Sequence, residues 1–337
     1  MNENRGLTGK IAIVFGGSRG IGAAAARRLA REGADVTVTY VSAPERAADT
    51  VAAIEATGRT GLAIKADSAD PAAINAAVAQ TVAHFGKLDI AVVNAGILLH
   101  GDVATVSVKD LDRMLDINVR GVFLAIQAAA ARLTDGGRII TIGSNTAVRS
   151  GHPGSSVYSM TKAAVAVMVK GIAIDLAGRG ITVNNIQPGP TVTDMTVDLI
   201  EAIKPLIPVK RAADPDEIAG LVAYLARKES GYMTGSSLTI DGGMSLYRWR
   251  ILRSGFHTRC VFLFAPSAPA VQVFIPTMRA FDRSQLIVEI RQRFAARCSS
   301  RNRDDSPARS VLTQPSYVDL ARHHLLRRPD IDVAQRR

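Results

Sequence analysis

The chain has 337 residues, of which 47% are hydrophobic and 21% are charged, and its formal net charge is +11. Nearly all of the excess charge lies in residues 248–337, which contain 17 arginines, no lysine and 7 acidic residues. The preceding residues are close to neutral, so their composition argues against a nucleic-acid-binding surface there. Both cysteines also lie in 248–337, which excludes a disulfide framework or a cysteine-based metal site from the main body of the chain.

The amino-terminal sequence MNENRGLTGK is polar and lacks the apolar segment of a signal peptide. The sequence also has no run of about 18 apolar residues that would span a bilayer. We therefore expect a cytoplasmic protein whose partners are neither membranes nor nucleic acids.

Short apolar segments rich in β-branched residues alternate with longer alanine-rich segments. Strands are predicted at 11–15, 35–40, 60–66, 88–93, 137–142, 181–186 and 236–240, and helices at about 20–32, 44–57, 71–85, 107–132, 156–179 and 215–227. Strands that are apolar on both faces are typical of a buried parallel sheet. The predicted fold class is therefore α/β, a Rossmann-like, doubly wound, seven-stranded parallel sheet with helices on both faces. Asp70 and Asp214 each precede a proline, which predicts that two of the helices begin there.

The regular alternation of strands and helices ends after Leu246. We predict one domain over 1–247 and an irregular, basic tail of low order over 248–337. One hypothesis is that the tail is a frameshifted or read-through extension, because GC-rich DNA translated in the wrong frame yields arginine without lysine. The rival hypothesis is a genuine basic arm that binds an anionic partner.

A glycine-rich turn lies between the first predicted strand and the first predicted helix. Its sequence, GGSRGIG, allows a tight turn, close approach to a pyrophosphate and phosphate binding at the positive end of the helix. The turn therefore predicts a dinucleotide site that includes Gly16, Ser18, Arg19, Gly20, Ile21 and Gly22.

The end of the second predicted strand indicates which dinucleotide binds. An acidic residue there would hold the adenine ribose hydroxyls and repel a 2′-phosphate. Here Tyr40, Val41 and Ser42 follow one another with no acid, and Arg19 lies in the glycine turn. A cation with small hydroxyl groups nearby suits a 2′-phosphate, so the predicted cofactor is NADP(H).

Further motifs follow in register over about 8–245. They include ADS at 66–68, NAG at 94–96, IGS at 142–144, YSMTK at 158–162, NNIQPGPTVTDM at 184–195 and TIDGG at 239–243. With the glycine turn, they resemble those of the classical short-chain dehydrogenase/reductases. The likeness is greatest to the 3-oxoacyl-acyl-carrier-protein reductase branch, and the chain is also similar to relatives known as cyclic-di-GMP-binding biofilm dispersal proteins.

The resemblance implies roles for individual residues. Those implied to contact the cofactor are Asp67 and Ser68 at the adenine, Asn94, Ala95 and Gly96 after the fourth strand, and Pro188, Gly189 and Thr193 near the nicotinamide. Those implied to be catalytic are Ser144, Tyr158, Lys162 and Asn118. The spacing of 14 residues between Ser144 and Tyr158 is one longer than is common in the family, so Asn145 and Ser155 stay open as alternatives to Ser144.

Tyr158 and Lys162 lie four residues apart and therefore share one face of a helix. A nearby ammonium favours the phenolate, so we expect Lys162 to lower the pKa of Tyr158 and also to contact the nicotinamide ribose. Tyr158 would act as general acid and base during hydride transfer, Ser144 would bond the substrate oxygen, and Asn118 would hold a water. No metal is required.

The predicted activity is reduction of a ketone or 3-oxoacyl carbonyl to a secondary alcohol. The alternative is a regulatory protein that binds cyclic-di-GMP on the same fold. Residues 195–211 are predicted to form a lid over the cofactor, and residues 97–106 the other wall of the cleft. The resemblance also implies a homotetramer, or a homodimer if the tail covers one interface.

Overall fold

The computed structural model describes residues 6–150, 153–246, 258–263 and 271–276. The chain divides into two units, Met1–Trp249 and Arg250–Arg337. In the first unit, seven parallel strands form one sheet in the order β3-β2-β1-β4-β5-β6-β7. The strands are β1 (Ile11–Phe15), β2 (Asp35–Tyr40), β3 (Gly61–Lys65), β4 (Leu88–Val93), β5 (Leu133–Ile142), β6 (Thr182–Pro188) and β7 (Ser237–Ile240).

Helices connect the strands and cover both faces of the sheet. They are α1 (Gly20–Arg31), α2 (Pro44–Glu55), α3 (Pro71–Phe85), α4 (Val108–Leu115), α5 (Gly121–Ala130), α6 (Ser156–Leu176), α7 (Val197–Ile203) and α8 (Pro215–Ala226). Helices α1, α2 and α8 bury side chains on one face, where Val14 of β1 points. Helices α3, α5 and α6 cover the other face, where Ile13 points, as the two-residue period of a strand requires. The predicted fold class is confirmed.

The two helix starts predicted from aspartate–proline pairs are present. Asp70 accepts a hydrogen bond from the amide of Ala72 at the start of α3. Asp214 accepts one from the amide of Asp216, and the Glu217 carboxylate accepts one from the amide of Asp214, which completes a capping box.

Other boundaries differ from the prediction. A π-helical turn, Asp116–Arg120, divides the helix predicted at 107–132 into α4 and α5. Strand β5 begins at Leu133 rather than residue 137, and its pairing with β4 contains a register shift that absorbs the extra residues. Helix α7 lies inside the predicted lid, where the sequence analysis assigned no helix.

Two short segments of the second unit are described. Strands β8 (Thr258–Leu263) and β9 (Val271–Pro276) pair antiparallel. The sequence analysis predicted no strand in this region, because its apolar residues lacked a clear period over the tail as a whole. Most of 248–337 lies outside the described residues, so the predicted low order and the two hypotheses on its origin stay predictions.

A buried carboxylate joins three strands at the edge of the sheet opposite the glycine turn. Asp89, whose side chain is 4% exposed, accepts hydrogen bonds from the amide of Ile11 at 2.9 Å and from Thr134, and pairs with the ammonium groups of Lys10 and Lys87. Burial alone would raise the pKa of Asp89, but the Ile11 amide and the two lysines outweigh it and hold the pKa below its ordinary value.

Asp89→Asn is expected to lower the free energy of unfolding at pH 7 by about 2 kcal/mol, since hydrogen bonds to a buried charge are lost. A lowered pKa stabilises the native state above the unfolded-state pKa, and this stabilisation disappears as the pH falls through the folded-state value. Denaturant titrations should therefore show the gap between variant and wild type closing in acid. Asp112→Asn is the control, because Asp112 is exposed on α4; an equal effect in both variants would contradict the assignment.

Candidate functional site

The candidate site lies at the carboxyl ends of the strands, where the strand order reverses between β1 and β4. The loops that follow β1 and β4 diverge to opposite faces of the sheet and leave a crevice between them. Ligands bind in this crevice in open α/β sheets. The residues that the sequence analysis selected follow β1, β2, β3, β4, β5 and β6, so the fold brings them to this one edge.

The glycine turn is shaped by contacts that exclude side chains. Gly16 and Gly20 have positive φ angles of 73° and 53°, a conformation that favours glycine. A Cβ on Gly22 would lie 2.1 Å from the carbonyl oxygen of Gly16, and one on Gly16 would lie 3.0 Å from Ala95. The turn therefore packs directly against the segment that follows β4 and presents its backbone to the crevice.

Two polar side chains hold the turn in place. Asn94 donates a hydrogen bond of 2.8 Å to the carbonyl of Gly16, and the hydroxyl of Thr39 accepts one of 3.0 Å from the amide of the same residue. Asn94 was predicted as a cofactor residue, and the structure places it as a brace for the turn. Thr39 was missed, because a threonine inside a buried strand gives no signal in the sequence beyond β propensity.

The residues predicted at the adenine end lie beside the turn. Tyr40 ends β2, its carbonyl accepts a hydrogen bond of 2.8 Å from the amide of Ala66, and Ser42 follows on an exposed loop. Asp67 is exposed after β3, with its carboxylate bonded to the amide of Ala69. Ser68 is buried there.

Ser144 and Tyr158 come together from different elements. Ser144 follows β5, and its hydroxyl is hydrogen-bonded to Tyr158 on α6. The Ser144 oxygen also accepts bonds from the amide and the hydroxyl of Thr146, at 3.2 and 3.0 Å. Of the alternatives left open by the spacing, Asn145 donates to Asp241, and Ser155 lies 2.9 Å from the hydroxyl of Ser150. The geometry therefore favours Ser144 as the partner of Tyr158.

Lys162 is 5% exposed and lies one turn after Tyr158 on α6. Its Nζ donates a hydrogen bond of 3.0 Å to the carbonyl of Ile142 and lies 5.7 Å from the centre of the Tyr158 ring. A Cβ on Gly96 would lie 3.4 Å from the same Nζ, so Gly96 leaves room for the ammonium. The side chain thus reaches the crevice beneath the segment that follows β4.

Burial controls the ionisation of both groups. It lowers the pKa of Lys162 from its ordinary 10.5 to about 8. It raises the pKa of Tyr158 from 10.0 to about 12, although the hydrogen bond from Ser144 opposes the rise. The expectation that the ammonium lowers the tyrosine pKa is therefore wrong for the protein's own groups, because burial of the phenol raises this pKa by more than the hydrogen bond from Ser144 lowers it.

Asn118 is fully buried inside the π-helical turn. Its Oδ1 accepts a hydrogen bond from the amide of Ile97 at 2.9 Å, and its Nδ2 donates to the carbonyl of Ile97 and to Thr161 on α6. These bonds tie the segment after β4 to the helix that carries Tyr158. The side chain therefore positions the site, and the predicted bound water stays a prediction.

The loop after β6 crosses to the glycine turn. Pro188 ends β6, and a Cβ on the next residue, Gly189, would lie 2.6 Å from Asp241. Thr193 lies 3.2 Å from the position of a Cβ on Gly20, so this loop packs on the turn. The predicted nicotinamide residues are therefore brought to the same crevice.

Asp194 in this loop does not begin a helix. Helix α7 begins at Val197, with Thr196 as its N-cap. The carboxylate of Asp194 instead pairs with Arg19 and Arg46. Arg46 was missed, because a charged residue in the first turn of a surface helix is ordinarily solvated.

Two other features bear on the kind of site. Within the described residues, no group of three or more His, Cys, Asp or Glu side chains is arranged to hold a metal. The segment Ser156–Arg179 is long and apolar enough to cross a bilayer by length and composition alone. The segment carries Tyr158 and Lys162 and packs on the sheet through Val165 and Val169, and 33% of its apolar window is buried.

Comparison with known proteins agrees with this arrangement. A family model described as enoyl-(acyl carrier protein) reductase matches residues 16–245. A short-chain dehydrogenase/reductase from Serratia marcescens is 52% identical with a TM-score of 0.70, covering 71% of this chain and 99% of that one. The chain belongs to the short-chain dehydrogenase/reductase family. The resemblance to this family inferred from the motifs is thereby confirmed, and the likeness to its 3-oxoacyl-acyl-carrier-protein reductase branch stays a prediction.

Two other members of this family differ in what their names state. A short-chain dehydrogenase from Burkholderia cenocepacia, solved in complex with NADP, is 47% identical with a TM-score of 0.69, covering 71% of this chain and 99% of that one. A cyclic-di-GMP-binding biofilm dispersal mediator protein from Escherichia coli is 41% identical over 70% of this chain and 97% of its own length. The chain is thus similar both to a protein that binds NADP and to one named for a cyclic dinucleotide.

Proposed function

We propose that the protein is an NADP(H)-dependent reductase that converts a ketone or 3-oxoacyl carbonyl into a secondary alcohol. The observation that carries the proposal is the hydrogen-bonded pair of Ser144 and Tyr158 beside the buried ammonium of Lys162. These groups lie at the sheet edge that also carries the glycine turn. The solved relative that binds NADP supports the same cofactor class for this chain.

The crevice fits a nicotinamide dinucleotide. The backbone of the turn is open to a pyrophosphate, because Gly16, Gly20 and Gly22 carry no side chain where one would clash. Arg19 is exposed at the start of α1, and no acid follows β2 to repel a 2′-phosphate. When bound, the cofactor supplies the hydride, and the protein supplies orientation and proton transfer.

Tyr158 is proposed as the proton donor in the reduction. With a pKa of about 12, the phenol is protonated at neutral pH and can give its proton to the substrate oxygen as negative charge develops there. Ser144 accepts bonds from Thr146, which leaves its own hydrogen to stabilise the phenolate or the substrate oxygen. Lys162, protonated below its pKa of about 8, places a positive charge near the phenolate that forms.

The lid region favours an apolar substrate. Between β6 and α8, five apolar side chains are 41–58% exposed: Val192, Met195, Val197, Leu199 and Val209. The basic residues nearby have protein partners, since Arg211 makes a bidentate pair with Glu217 and Lys204 pairs with Glu201. We therefore favour a free apolar ketone over an acyl chain on an acidic carrier.

We also propose that the protein is a cytoplasmic homo-oligomer, as expected from the sequence. Met160, Val167 and Ile174 recur every seven residues along α6 and are 47%, 67% and 78% exposed, and Phe123 of α5 is also exposed. An apolar stripe of this kind on a water-facing helix supports self-association. Light scattering distinguishes a dimer from a tetramer, and a monomer would contradict this part of the proposal.

One assay tests the function. NADPH and NADH oxidation should be followed with a panel of ketones and 3-oxoacyl thioesters, on the full chain and on a chain ending at residue 247. We expect turnover with NADPH, an apolar ketone as the best substrate, and equal rates in both chains if 1–247 is a complete domain. Loss of activity on truncation would count against a frameshifted tail. Tight cyclic-di-GMP binding without turnover would favour the regulatory alternative.

A further inference from the structure

Two arginines from different elements hold one carboxylate at the rim of the crevice. Arg19 lies in the glycine turn, and its Nη1 is 3.6 Å from Oδ2 of Asp194. Arg46 lies in the first turn of α2, and its Nη1 pairs with the same oxygen. All three side chains are about half exposed, so a ligand in solution can reach them.

The loop that carries Asp194 presents the carboxylate in a defined position. The Thr196 hydroxyl accepts a hydrogen bond from the amide of Thr193 and donates one to the carbonyl of Thr191. Thr193 in turn packs against Gly20 of the glycine turn. The hydrogen bond and charge of Arg46, followed by the charge of Arg19, hold the pKa of Asp194 below its ordinary value, so the residue is an anion at neutral pH.

This arrangement is an anion site already filled by a residue of the protein. Two guanidinium groups that converge on one point suit a phosphate better than a carboxylate, because a phosphate brings more charge and more acceptor oxygens. We propose that Asp194 occupies a site formed by Arg19 and Arg46, and that the 2′-phosphate of NADP(H) displaces it. Asp194 and Arg46 are then specificity-determining residues. Binding of NADP(H), unlike binding of NAD(H), frees the Thr191–Thr196 loop from the two arginines.

The inference rests on the proposed NADP(H)-dependent function. It adds that NADPH must separate Asp194 from the two arginines in order to bind, whereas NADH need not. NADH carries ribose hydroxyls in place of the phosphate, so it binds without separating Asp194 from the arginines. Exposed ion pairs are weak, so a phosphate can compete with the carboxylate. Removing the carboxylate should therefore help NADPH alone, whereas removing Arg46 should harm NADPH alone.

Fluorescence titration of Asp194→Asn, Arg46→Gln and the double variant with NADPH, NADH and 2′,5′-ADP tests the proposal. Asp194→Asn should tighten NADPH and 2′,5′-ADP binding by about threefold, the scale of an exposed ion pair, and leave NADH unchanged. Arg46→Gln should weaken both phosphate-bearing ligands by about tenfold. In the double variant, removing Asp194 should not tighten binding of NADPH or 2′,5′-ADP, since the site that it filled has already lost Arg46.

Asp198→Asn is the matched control, because it removes the same charge from the next turn of the chain, at the start of α7. NADH affinity reports whether each variant is folded. Equal changes for NADPH and NADH, no change in Asp194→Asn, or the same change in Asp198→Asn would overturn the inference while leaving the reductase proposal intact. A wild-type protein that binds neither dinucleotide would overturn both.

Discussion

Replacing Tyr158 with phenylalanine is expected to lower kcat for carbonyl reduction by about a thousandfold, the range that loss of a general acid produces. The ring keeps its packing on α6, and only the hydroxyl bonded to Ser144 is lost. NADPH affinity should therefore stay within about threefold of wild type, a change of under about 1 kcal/mol in binding free energy. Steady-state kinetics and a fluorescence titration measure the two quantities separately.

Tyr224→Phe is the control for this variant, since Tyr224 lies partly exposed on α8, away from the crevice. Wild-type turnover in Tyr158→Phe would contradict the proposed mechanism. The pH profile adds a second check. Because the pKa of Tyr158 is about 12 and that of Lys162 about 8, reduction should slow as the pH rises through 8, before the phenol itself ionises.

The glycine turn and the strand pattern could be predicted because their signals are local. Gly16 and Gly20 occupy backbone conformations that few other residues adopt, so the sequence itself reports the turn. The strands are apolar on both faces because helices cover both, and the predicted boundaries of β1 and β2 agree with the structure. Because the predicted strands are parallel, the loops that follow them could then be placed at one edge of the sheet.

Contacts between distant segments could not be predicted in the same way. Arg46 and Asp194 are 148 residues apart, and neither lies in a pattern that indicates the other. The choice of Ser144 over Asn145 and Ser155 likewise depended on where the loop after β5 turns. The pKa of Tyr158 was predicted in the wrong direction, because four-residue spacing reveals a neighbouring charge but not how deeply the phenol is buried.

Lys162→Met is expected to abolish most of the activity and yet to stabilise the fold at neutral pH. Burial lowers the pKa of the ammonium from 10.5 to about 8, so below pH 8 the native state holds a proton that the unfolded chain binds more favourably. Removing the charge should raise the free energy of unfolding at pH 7 by a net value of about 2 kcal/mol. This net value already subtracts about 1 kcal/mol for the lost hydrogen bond to the Ile142 carbonyl. Reduction should slow by at least about a hundredfold.

The size of the stability change depends on pH, which separates it from a packing effect. Between pH 8 and 10.5 the native lysine loses its proton before the unfolded one, so wild type gains stability and the advantage of the variant shrinks. Denaturant titrations at pH 7 and near pH 10 should therefore differ for Lys162→Met but agree for Lys170→Met, an exposed position on the same helix. If the variant is instead less stable than wild type at pH 7, the surroundings of the ammonium compensate its charge and its pKa is not lowered. Ionisation of Lys162 could then not cause the fall in rate above pH 8.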